Sequence, residues 1–333
     1  MKTVGIIGTN GLPGNYGGWD QLVIHLTSNL KDRFNFIVYT SYTSINKNTK
    51  DFNGTKLVRI KFKANGVQSV PYDIVSMIHA IRCCDVLFIC GTSGCIFLPI
   101  IKMFNKKIIL NPDGQEWKRD NQIIKEYIRN EYKKESTLIE YGGDQVLKTG
   151  LSETTSKKYG ITQGKYAFKV CRIVPENNID IILDAFSKKP NTNLIIVGNF
   201  ENSKYGKNLK IKYSPFPNLK LLNPIYDQAI LDELRSNCGL YIHGHSVGGT
   251  NPSLVEAMNL GLCIVAFKVD YNIVTTENKA IYFENEKDLM AIIEMFENNQ
   301  LNIVAYQNEM ERIAKNRYKW SIITDKYAEV FDR

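Results

Sequence analysis

The sequence predicts an α/β protein built from two doubly wound domains that face a central cleft. Short apolar runs alternate with amphipathic helical stretches through the first half of the chain, and the same scheme returns in the second half. A length of 333 residues is that of two ordinary domains. In doubly wound sheets ligands bind at the carboxyl ends of the strands, so we expect the functional site there.

The first half contains five apolar runs of strand length. Strands are predicted over 3–8, 34–40, 56–61, 85–89 and 107–110, and helices over 16–30, 69–82 and 94–104. A glycine-rich stretch from Gly8 to Gly18 joins the first strand to the first helix, and glycines there let the backbone approach a phosphate or sugar. Its spacing is not GxGxxG and no acidic residue closes the second strand, which disfavours a dinucleotide site. A flexible strand–helix loop is the alternative interpretation.

The second half repeats the pattern after a polar stretch, 153–165, that contains Gly160 and Gly164. Strands are predicted over 166–170, 193–197, 219–222, 239–242, 263–267 and 280–283, and helices over 178–188, 227–236, 252–260 and 286–298. We therefore expect a first domain over 1–160 and a second domain over 161–317. A C-terminal helix is predicted over 318–333.

Residues 242–261, IHGHSVGGTNPSLVEAMNLG, carry the strongest functional signal. A strand enters a glycine-rich turn that opens a helix near Pro252, with Thr250, Asn251 and Ser253 at the N-cap and first-turn positions. Unpaired N–H groups at a positive helix end suit a phosphate or a sugar hydroxyl. Glu256, one turn later, can accept hydrogen bonds from vicinal hydroxyls. The segment favours a binder of a phosphorylated sugar; a well-capped helix without a ligand is the alternative.

Composition narrows the classes of partner. Lysine and arginine exceed aspartate and glutamate by 8, which fits phosphorylated ligands, an anionic membrane surface or nucleic acid. The chain has no Arg-rich run or stacked-aromatic RNA motif, so nucleic acid is disfavoured. Seven scattered cysteines without a CxxC pair, mostly in apolar runs, indicate a reducing cytoplasm. The N-terminus shows no signal peptide, and the longest apolar run, 96–101, is too short to span a bilayer.

The sequence predicts no metal and no cofactor. His243 and His245 lie two apart at a strand exit, without a cysteine or carboxylate at ligand spacing. We expect one of them to pack in the core and His245 to face the cleft. No acidic pair of the Asp-x-Asp type lies between the strands to hold a divalent ion.

Residues 242–261 resemble the nucleotide-sugar motif of retaining GT-B glycosyltransferases, and more narrowly the bacterial rhamnosyltransferases of capsule and O-antigen assembly. The resemblance extends to further stretches: VGIIGTNGLPGNYGGWDQLV from Val4, NPDGQEWKR from Asn111, CRIVPENNIDIILDAF from Cys171, and VGNFENSKYGK from Val197 with NPIYD at Asn223. It implies two Rossmann-like domains, a nucleotide-sugar donor, and a metal-independent front-face transfer. It also implies that the C-terminal helix, 318–333, packs back on the first domain. In that mechanism the leaving phosphate oxygen helps to deprotonate the acceptor.

The resemblance also implies roles for individual residues. Arg172 would hold the donor diphosphate, although an arginine at a strand end is more often a solvated charge. Glu256 matches the second glutamate of a two-glutamate motif. Donor contacts are implied for Gly17, Gly18, Asn199, Tyr226, His245, Gly248, Gly249, Thr250, Asn251 and Ser253. The chain departs from the pattern twice, because Asn177 replaces a lysine and Gly248 replaces the first glutamate.

Acceptor contacts are expected in the first domain. Asp113 would orient the acceptor hydroxyl or contact the donor sugar; capping of the following turn is the alternative. Glu116, Lys118 and Arg119 would meet a lipid-diphosphate-linked saccharide. After Arg119 the family continues with a helix and a strand that this sequence lacks, either by deletion or because residues are omitted from it.

A membrane surface is the last predicted partner. An apolar stretch, 96–104, occurs with nine basic residues that the sequence assigns to the first domain: Lys102, Lys106, Lys107, Lys118, Arg119, Lys125, Arg129, Lys133 and Lys134. They would hold the enzyme peripherally on the inner face of the plasma membrane; a solvated basic face is the alternative. The predicted activity is transfer of a hexosyl group, first of all rhamnose from dTDP-rhamnose, in surface polysaccharide biosynthesis. A UDP-hexose donor and a catalytically silent nucleotide-sugar-binding subunit remain as alternatives.

Overall fold

The computed structural model describes residues 1–13, 18–42, 49–112, 129–130, 133, 135–247 and 249–333. The chain divides into two compact units. Unit 1 comprises Met1–Gly114 and Ser321–Arg333, and unit 2 comprises Gln115–Trp320. The chain returns to unit 1 at its C-terminal helix.

Parallel strands and the helices between them make up both units. The strands are β1 Lys2–Ile7, β2 Phe34–Ser41, β3 Asp51–Phe52, β4 Thr55–Ile60, β5 Val86–Cys90, β6 Lys107–Asn111, β7 Tyr166–Val170, β8 Asn193–Val197, β9 Leu219–Leu222, β10 Leu240–His243, β11 Ile264–Phe267 and β12 Ile281–Phe283. The helices are α1 Gly18–Asn29, α2 Ser69–Cys83, α3 Leu98–Ile101, α4 Glu153–Tyr159, α5 Ile179–Ser187, α6 Lys204–Tyr213, α7 Gln228–Ser236, α8 Pro252–Asn259, α9 Asp270–Thr275, α10 Glu286–Glu297, α11 Ile303–Arg317 and α12 Trp320–Asp332.

The sheet of unit 1 has the order β3-β4-β2-β1-β5-β6 and is parallel except for the β3–β4 pair. β5 is buried along its whole length, and its sequence VLFIC is continuously apolar, as expected for a strand covered on both faces. The predicted helix over 94–104 is broken into α3 and two flanking 3-10 turns, and it ends at Asn105 in the left-handed region with φ 49°. Pro99, in the first turn of α3, explains part of this break.

Helix α12 is anchored to unit 1 by an aromatic cluster. Phe331 is fully buried and its ring lies 5.5 Å from that of Phe34, 6.5 Å from Phe36 and 5.6 Å from Phe88. At the surface, Lys2 Nζ donates to the carbonyl oxygen of Asp332 at 2.8 Å. The aromatic packing supplies most of the holding free energy, because the polar contacts at this end are exposed.

The sheet of unit 2 is wholly parallel, with the order β12-β11-β10-β7-β8-β9. One apolar core lies between the sheet and residues of α7, α8 and α11, and a second core lies between the sheet and residues of α5, α6 and α10. The predicted α/β class with two doubly wound sheets is therefore confirmed. Among the described residues, no helix combines the length and the apolar composition that crossing a bilayer requires.

The structure differs from the sequence prediction around the expected domain boundary. Residues 153–159 form α4, which Ser152 caps through its hydroxyl and Gly160 ends in the left-handed region with φ 56°. The described residues 135–160, assigned to the first domain from the sequence, group with unit 2. Thr149 N donates to Ser236 Oγ at 3.3 Å, one of several contacts that hold this segment on α7. The helices α6, α9 and α11 were not predicted, because polar residues interrupt their apolar stripes.

Replacing Phe331 with alanine is expected to destabilise unit 1 by about 3–5 kcal/mol, because a buried aromatic ring packed against Phe34, Phe36 and Phe88 is lost. Denaturant unfolding followed by tryptophan fluorescence and circular dichroism would measure the change. The matched control is Asp325→Ala, which removes an exposed carboxylate 3.5 Å from Arg33 and should cost less than about 0.5 kcal/mol. Equal effects of the two substitutions would contradict the aromatic anchoring of α12.

Candidate functional site

The order of the strands in unit 2 creates a crevice between β7 and β10. From β7 the chain passes through α5 to β8 on one side, and from β10 it passes through α8 to β11 on the other. Connections that leave neighbouring parallel strands in opposite directions open a crevice at the carboxyl ends, where ligands of such sheets bind. The loops 171–178 and 244–251 border this crevice.

Asn177 connects the two loops through hydrogen bonds of its side-chain amide. Its Nδ2 donates to the carbonyl oxygen of Arg172 at 2.7 Å, and its Oδ1 lies 3.0 Å from Nδ1 of His245. Because the amide nitrogen is committed to a carbonyl, Oδ1 is the acceptor and Nδ1 of His245 carries the proton. Gly244 allows this approach, since a Cβ there would lie 2.3 Å from the Asn177 carbonyl oxygen. The residue at the position of the family's lysine is therefore 5% exposed and structural.

The expectation that His245 faces the open crevice is not met. His245 is 8% exposed, because its ring is held by Asn177 and its carbonyl oxygen accepts from Nδ2 of Asn272 at 3.0 Å. The two histidine rings lie 6.3 Å apart, and both are buried. Contact of His245 with a ligand remains a prediction.

Arg172 is the exposed cation of the loop that follows β7. No carboxylate of the described residues pairs with its guanidinium. A planar fork of N–H donors at the mouth of a crevice is suited to two oxygens of a phosphate or diphosphate.

Helix α8 begins at Pro252, as predicted, and Asn251 is its N-cap. Asn251 Oδ1 accepts from Ser253 N at 3.1 Å and from Ser253 Oγ at 2.8 Å. Leu254 N and Val255 N donate to the carbonyl oxygen of Asn251. The first-turn N–H groups therefore have partners within the chain, contrary to expectation. What α8 offers a ligand is its positive end and the turn before it.

Glu256 lies in an ion pair with a buried arginine. Its Oε2 is 2.5 Å from Nη1 of Arg235, and its Oε1 accepts from Nε2 of Gln145 at 2.7 Å. The side chain of Arg235 is 3% exposed and that of Glu256 is 19% exposed. Burial of Arg235 works against its charge, but the Glu256 carboxylate and Tyr241 reverse this and raise the pKa of Arg235. Glu256 is therefore a fixed acceptor with an exposed side, which suits hydroxyl donors of a ligand.

The other predicted donor residues lie on several loops. Asn199 caps a 3-10 turn by accepting from Glu201 N at 3.1 Å, and Tyr226 is 80% exposed. Gly249 and Thr250 are half-buried in the turn before α8, while Gly18 begins α1 in unit 1. The remaining predicted residues lie outside the described part of the chain: Gly17, Asp113, Glu116, Lys118, Arg119 and Gly248.

The sequence prediction missed a buried cation at the same crevice. Lys169, in β7, is 2% exposed, and no carboxylate of the described residues pairs with it. Burial lowers the pKa of Lys169. Burial, together with Lys169 and His245, holds the pKa of His243 well below its usual value, so His243 is neutral at pH 7. The signal was visible in the sequence as a lysine inside the apolar strand YAFKV.

In unit 1 the glycine-rich loop follows β1. Gly8 has φ +95°, and a Cβ there would lie 2.0 Å from the carbonyl oxygen of Cys90. The close approach of β1 to the end of β5 thus requires glycine at this position. Among the described residues of both units, no three histidine, cysteine, aspartate or glutamate side chains cluster as a metal site requires.

Comparison with known families identifies the class of protein. Residues 152–320, just over half of the chain, match the family "Glycosyl transferases group 1", and the chain belongs to this family. Residues 1–122 match a domain of unknown function, DUF1972. A search of curated proteins finds no match.

Solved structures share the fold over nearly the whole chain. Sucrose-phosphate synthase from Thermosynechococcus elongatus has a TM-score of 0.81 at 13% identity, with 100% of this chain and 98% of that chain covered. Anabaena Alr3699/HepE in complex with UDP-glucose has a TM-score of 0.72 at 15% identity, with both chains fully covered. WaaG, a glycosyltransferase involved in lipopolysaccharide biosynthesis, has a TM-score of 0.67 at 12% identity, covering 98% and 99%. The chain is a glycosyltransferase of the GT-B fold.

Replacing Lys169 with methionine is expected to stabilise the protein at pH 7 by about 1–3 kcal/mol, since it removes a buried amino group that pairs with no carboxylate of the described residues. Because the folded state lowers the pKa of Lys169, the unfolded state binds more protons between that pKa and about 10.4. The difference in the free energy of unfolding between Lys169→Met and the wild type should therefore become smaller as the pH rises from the lowered pKa towards about 10.4. Urea unfolding of both proteins at several pH values would measure it.

A Lys169→Met protein that is less stable than the wild type at pH 7 would contradict this account. It would mean that the ammonium makes favourable contacts in the folded chain.

Proposed function

We propose that this glycosyltransferase binds a nucleotide-sugar donor in the β7–β10 crevice and transfers its hexosyl group with retention of configuration. The acceptor is a lipid-diphosphate-linked saccharide of surface polysaccharide assembly, as in capsule or O-antigen. The first candidate donor is dTDP-rhamnose, on the rhamnosyltransferase-like sequence pattern. The observation that carries the proposal is Arg172, an exposed cation without a carboxylate partner among the described residues, at the switch point of the sheet.

The electrostatics of the crevice favour a diphosphate leaving group. Arg172 supplies two parallel donors, and the positive end of α8 supplies a fixed partial charge. Asn177 is neutral and buried, so it adds no second cation. The charge that develops on the leaving oxygen is therefore met by one arginine, one helix end and neutral donors.

Sugar transfer then proceeds on one face of the donor. The acceptor hydroxyl oxygen attacks the anomeric carbon, the bond from that carbon to the diphosphate oxygen breaks, and the leaving oxygen takes the acceptor proton. No protein nucleophile and no divalent ion takes part. The contribution of the chain is to position the reactants and to stabilise charge.

Glu256 binds hydroxyls of the donor, because its carboxylate is fixed by protein donors and its exposed side still accepts. Asp113 orients the acceptor hydroxyl or contacts the donor sugar, and Glu116, Lys118 and Arg119 contact the lipid-diphosphate-linked acceptor. In place of the carboxylate absent at Gly248, backbone N–H groups of the turn that includes Gly249 and Thr250 contact the transferred sugar.

Two alternatives have specific support. A UDP-hexose donor is favoured by the fold shared with Anabaena Alr3699/HepE, which binds UDP-glucose. A catalytically silent nucleotide-sugar-binding subunit is favoured by Gly248 and Asn177, which replace a carboxylate and a cation of the family pattern. A thermal-shift panel of dTDP-, UDP- and GDP-sugars distinguishes the donors, since a ligand raises the melting temperature only by binding the folded state.

We also propose that unit 1 attaches peripherally to the inner face of the plasma membrane. Ile96, Ile100, Met103 and Phe104 are 79%, 47%, 81% and 51% exposed, and they give the short helical segments of residues 95–104 an exposed apolar face. Lys102 and Lys106 flank this face. Lys107 turns instead towards Phe331, and Arg129 and Lys133 group with unit 2 rather than with the first domain as predicted. The other basic residues of this prediction, Lys118, Arg119, Lys125 and Lys134, lie outside the described part of the chain.

Replacing Arg172 with alanine is expected to weaken binding of the preferred nucleoside diphosphate by about 1.5–3 kcal/mol, the contribution of a hydrogen bond to a charged group. Calorimetric titration with UDP, dTDP and GDP would measure it. The control is Lys279→Ala, which removes an exposed cation from the loop before β12, at the amino edge of the sheet, and should leave affinity unchanged. Unchanged affinity in a folded Arg172→Ala protein would remove Arg172 from the donor site.

The double substitution Ile100→Ser and Met103→Ser is expected to abolish co-sedimentation with liposomes that contain anionic lipid, because the exposed apolar face is lost. Ile211→Ser, which removes an isoleucine 74% exposed on α6 of unit 2, serves as the control and should not change binding. Binding of the wild type should also weaken with salt. Equal binding of the wild type to neutral and anionic liposomes, or to neither, would refute this attachment.

A further inference from the structure

A five-residue segment, Tyr141 to Gln145, lies between helix α8 and the point where the chain leaves unit 2. We call these residues, YGGDQ, the wedge. One side of the wedge contacts α8, and the other side contacts residues 318–320, which precede and begin α12. The sequence prediction gave the wedge no role.

Close packing fixes the wedge on both sides. A Cβ on Gly142 would lie 2.4 Å from the ring of Trp320, and a Cβ on Gly143 would lie 2.6 Å from the backbone of Val255 in α8. Gly143 N donates to the carbonyl oxygen of Tyr318 at 2.8 Å. The two glycines thus bring the wedge backbone into direct contact with both neighbours, because no side chain separates them.

The polar residues of the wedge continue the connection. Trp320 N donates to Asp144 Oδ1 at 2.7 Å, and the Trp320 ring meets that of Tyr141 edge-on at 4.8 Å. The indole Nε1 of Trp320 donates to Oε1 of Gln145 at 2.7 Å. Trp320 is 3% exposed, so its N–H depends on this partner.

The orientation of the Gln145 amide follows from its partners. An indole N–H only donates and an ionised carboxylate only accepts, so the amide oxygen faces Trp320 and the amide nitrogen faces Glu256. Gln145 Nε2 donates to Glu256 Oε1 at 2.7 Å, while Arg235 holds Oε2. A continuous hydrogen-bonded path therefore runs from Trp320 through Gln145 to Glu256.

We propose that Gln145 and Trp320 are positioning residues for Glu256, and that occupation of Glu256 by donor hydroxyls changes the environment of the Trp320 indole. The inference rests on the proposed donor site. Hydroxyls that donate to Glu256 withdraw charge from Oε1, which weakens the bond from Gln145 and hence the bond from the indole. Trp320 is the last residue of unit 2, so the start of α12 becomes sensitive to the donor site.

Tryptophan fluorescence tests this directly. The chain has three tryptophans, Trp19, Trp117 and Trp320. In a Trp19→Phe, Trp117→Phe protein, all tryptophan fluorescence comes from Trp320. Titration with UDP and with dTDP, with binding measured in parallel by calorimetry, should give a saturable change in emission at the same midpoint. The change should be lost when Gln145→Met is added, because methionine keeps the length and removes both hydrogen bonds.

Affinity gives a second readout that a packing role would not change. Gln145→Met should raise the nucleotide dissociation constant roughly tenfold, which corresponds to one hydrogen bond to a charged group. Trp320→Phe keeps the ring against the wedge and removes only the N–H, so it should weaken binding severalfold even if the methionine variant folds poorly. The control is Thr192→Val, which removes a 2.8 Å hydrogen bond to Glu297 at the amino edge of the sheet and should lower stability without changing affinity.

Four outcomes overturn the inference. The inference would be wrong if nucleotide bound without a change in Trp320 emission, or if the change persisted in Gln145→Met. Either result would leave the proposed donor site unaffected. Weaker binding in Thr192→Val equal to that in Gln145→Met would mean that only general stability was lost. Binding of neither nucleotide would overturn the proposed donor site and this inference together.

Discussion

The strands β7 and β10 are neighbours in the sheet of unit 2, and the candidate site depends on this arrangement. These neighbouring strands send their connections to opposite faces of the sheet, so the loops after them meet at one crevice. Two loops that meet in a buried place need partners for their polar backbone groups. Asn177 supplies one such partner by donating to the Arg172 carbonyl, and its amide oxygen also accepts from the ring Nδ1 of His245. The side chain of Arg172 is the exposed cation of its loop, which also carries the exposed Glu176.

Two buried cations near this crevice respond to burial in opposite ways: the pKa of Arg235 is raised, and the pKa of Lys169 is lowered. Arg235 stays charged because a carboxylate lies 2.5 Å away, and the pair is further bonded through Gln145. Lys169 has no carboxylate partner among the described residues, and its pKa falls. The consequence for function lies in Glu256. A carboxylate held by a guanidinium and an amide is a well-oriented acceptor, which is the property that sugar hydroxyls require.

Much of unit 2 could be predicted from the sequence because its signals are local. The apolar runs gave the strands of the sheet, and Asn251 before Pro252 marked the start of α8 correctly. The capping hydrogen bonds could not be foreseen in full, because Asn251 uses both its side chain and its carbonyl on the first turn.

Features that depend on distant residues were missed. The sequence prediction placed Gln145 in the first domain, whereas the structure groups it with unit 2, since nothing in residues 141–145 shows that their glycines fit against Trp320 and Val255. His245 was expected to face the crevice, and it is buried because its partner Asn177 comes from another loop. The glycine-rich loop and the motif from Asn111 rest on sequence alone at Gly17 and Asp113, which lie outside the described residues.

The most direct test of the account is a multiple-turnover assay in the presence of EDTA. Purified protein, a lipid-diphosphate-linked saccharide acceptor and dTDP-rhamnose or UDP-hexoses would be combined, and released nucleoside diphosphate and glycosylated acceptor counted per enzyme molecule. A metal-independent glycosyltransferase predicts many turnovers with at least one donor and an anomeric configuration retained in the product. Donor-induced thermal stabilisation with no turnover, or turnover that stops on chelation and returns with Mg²⁺ or Mn²⁺, would contradict it.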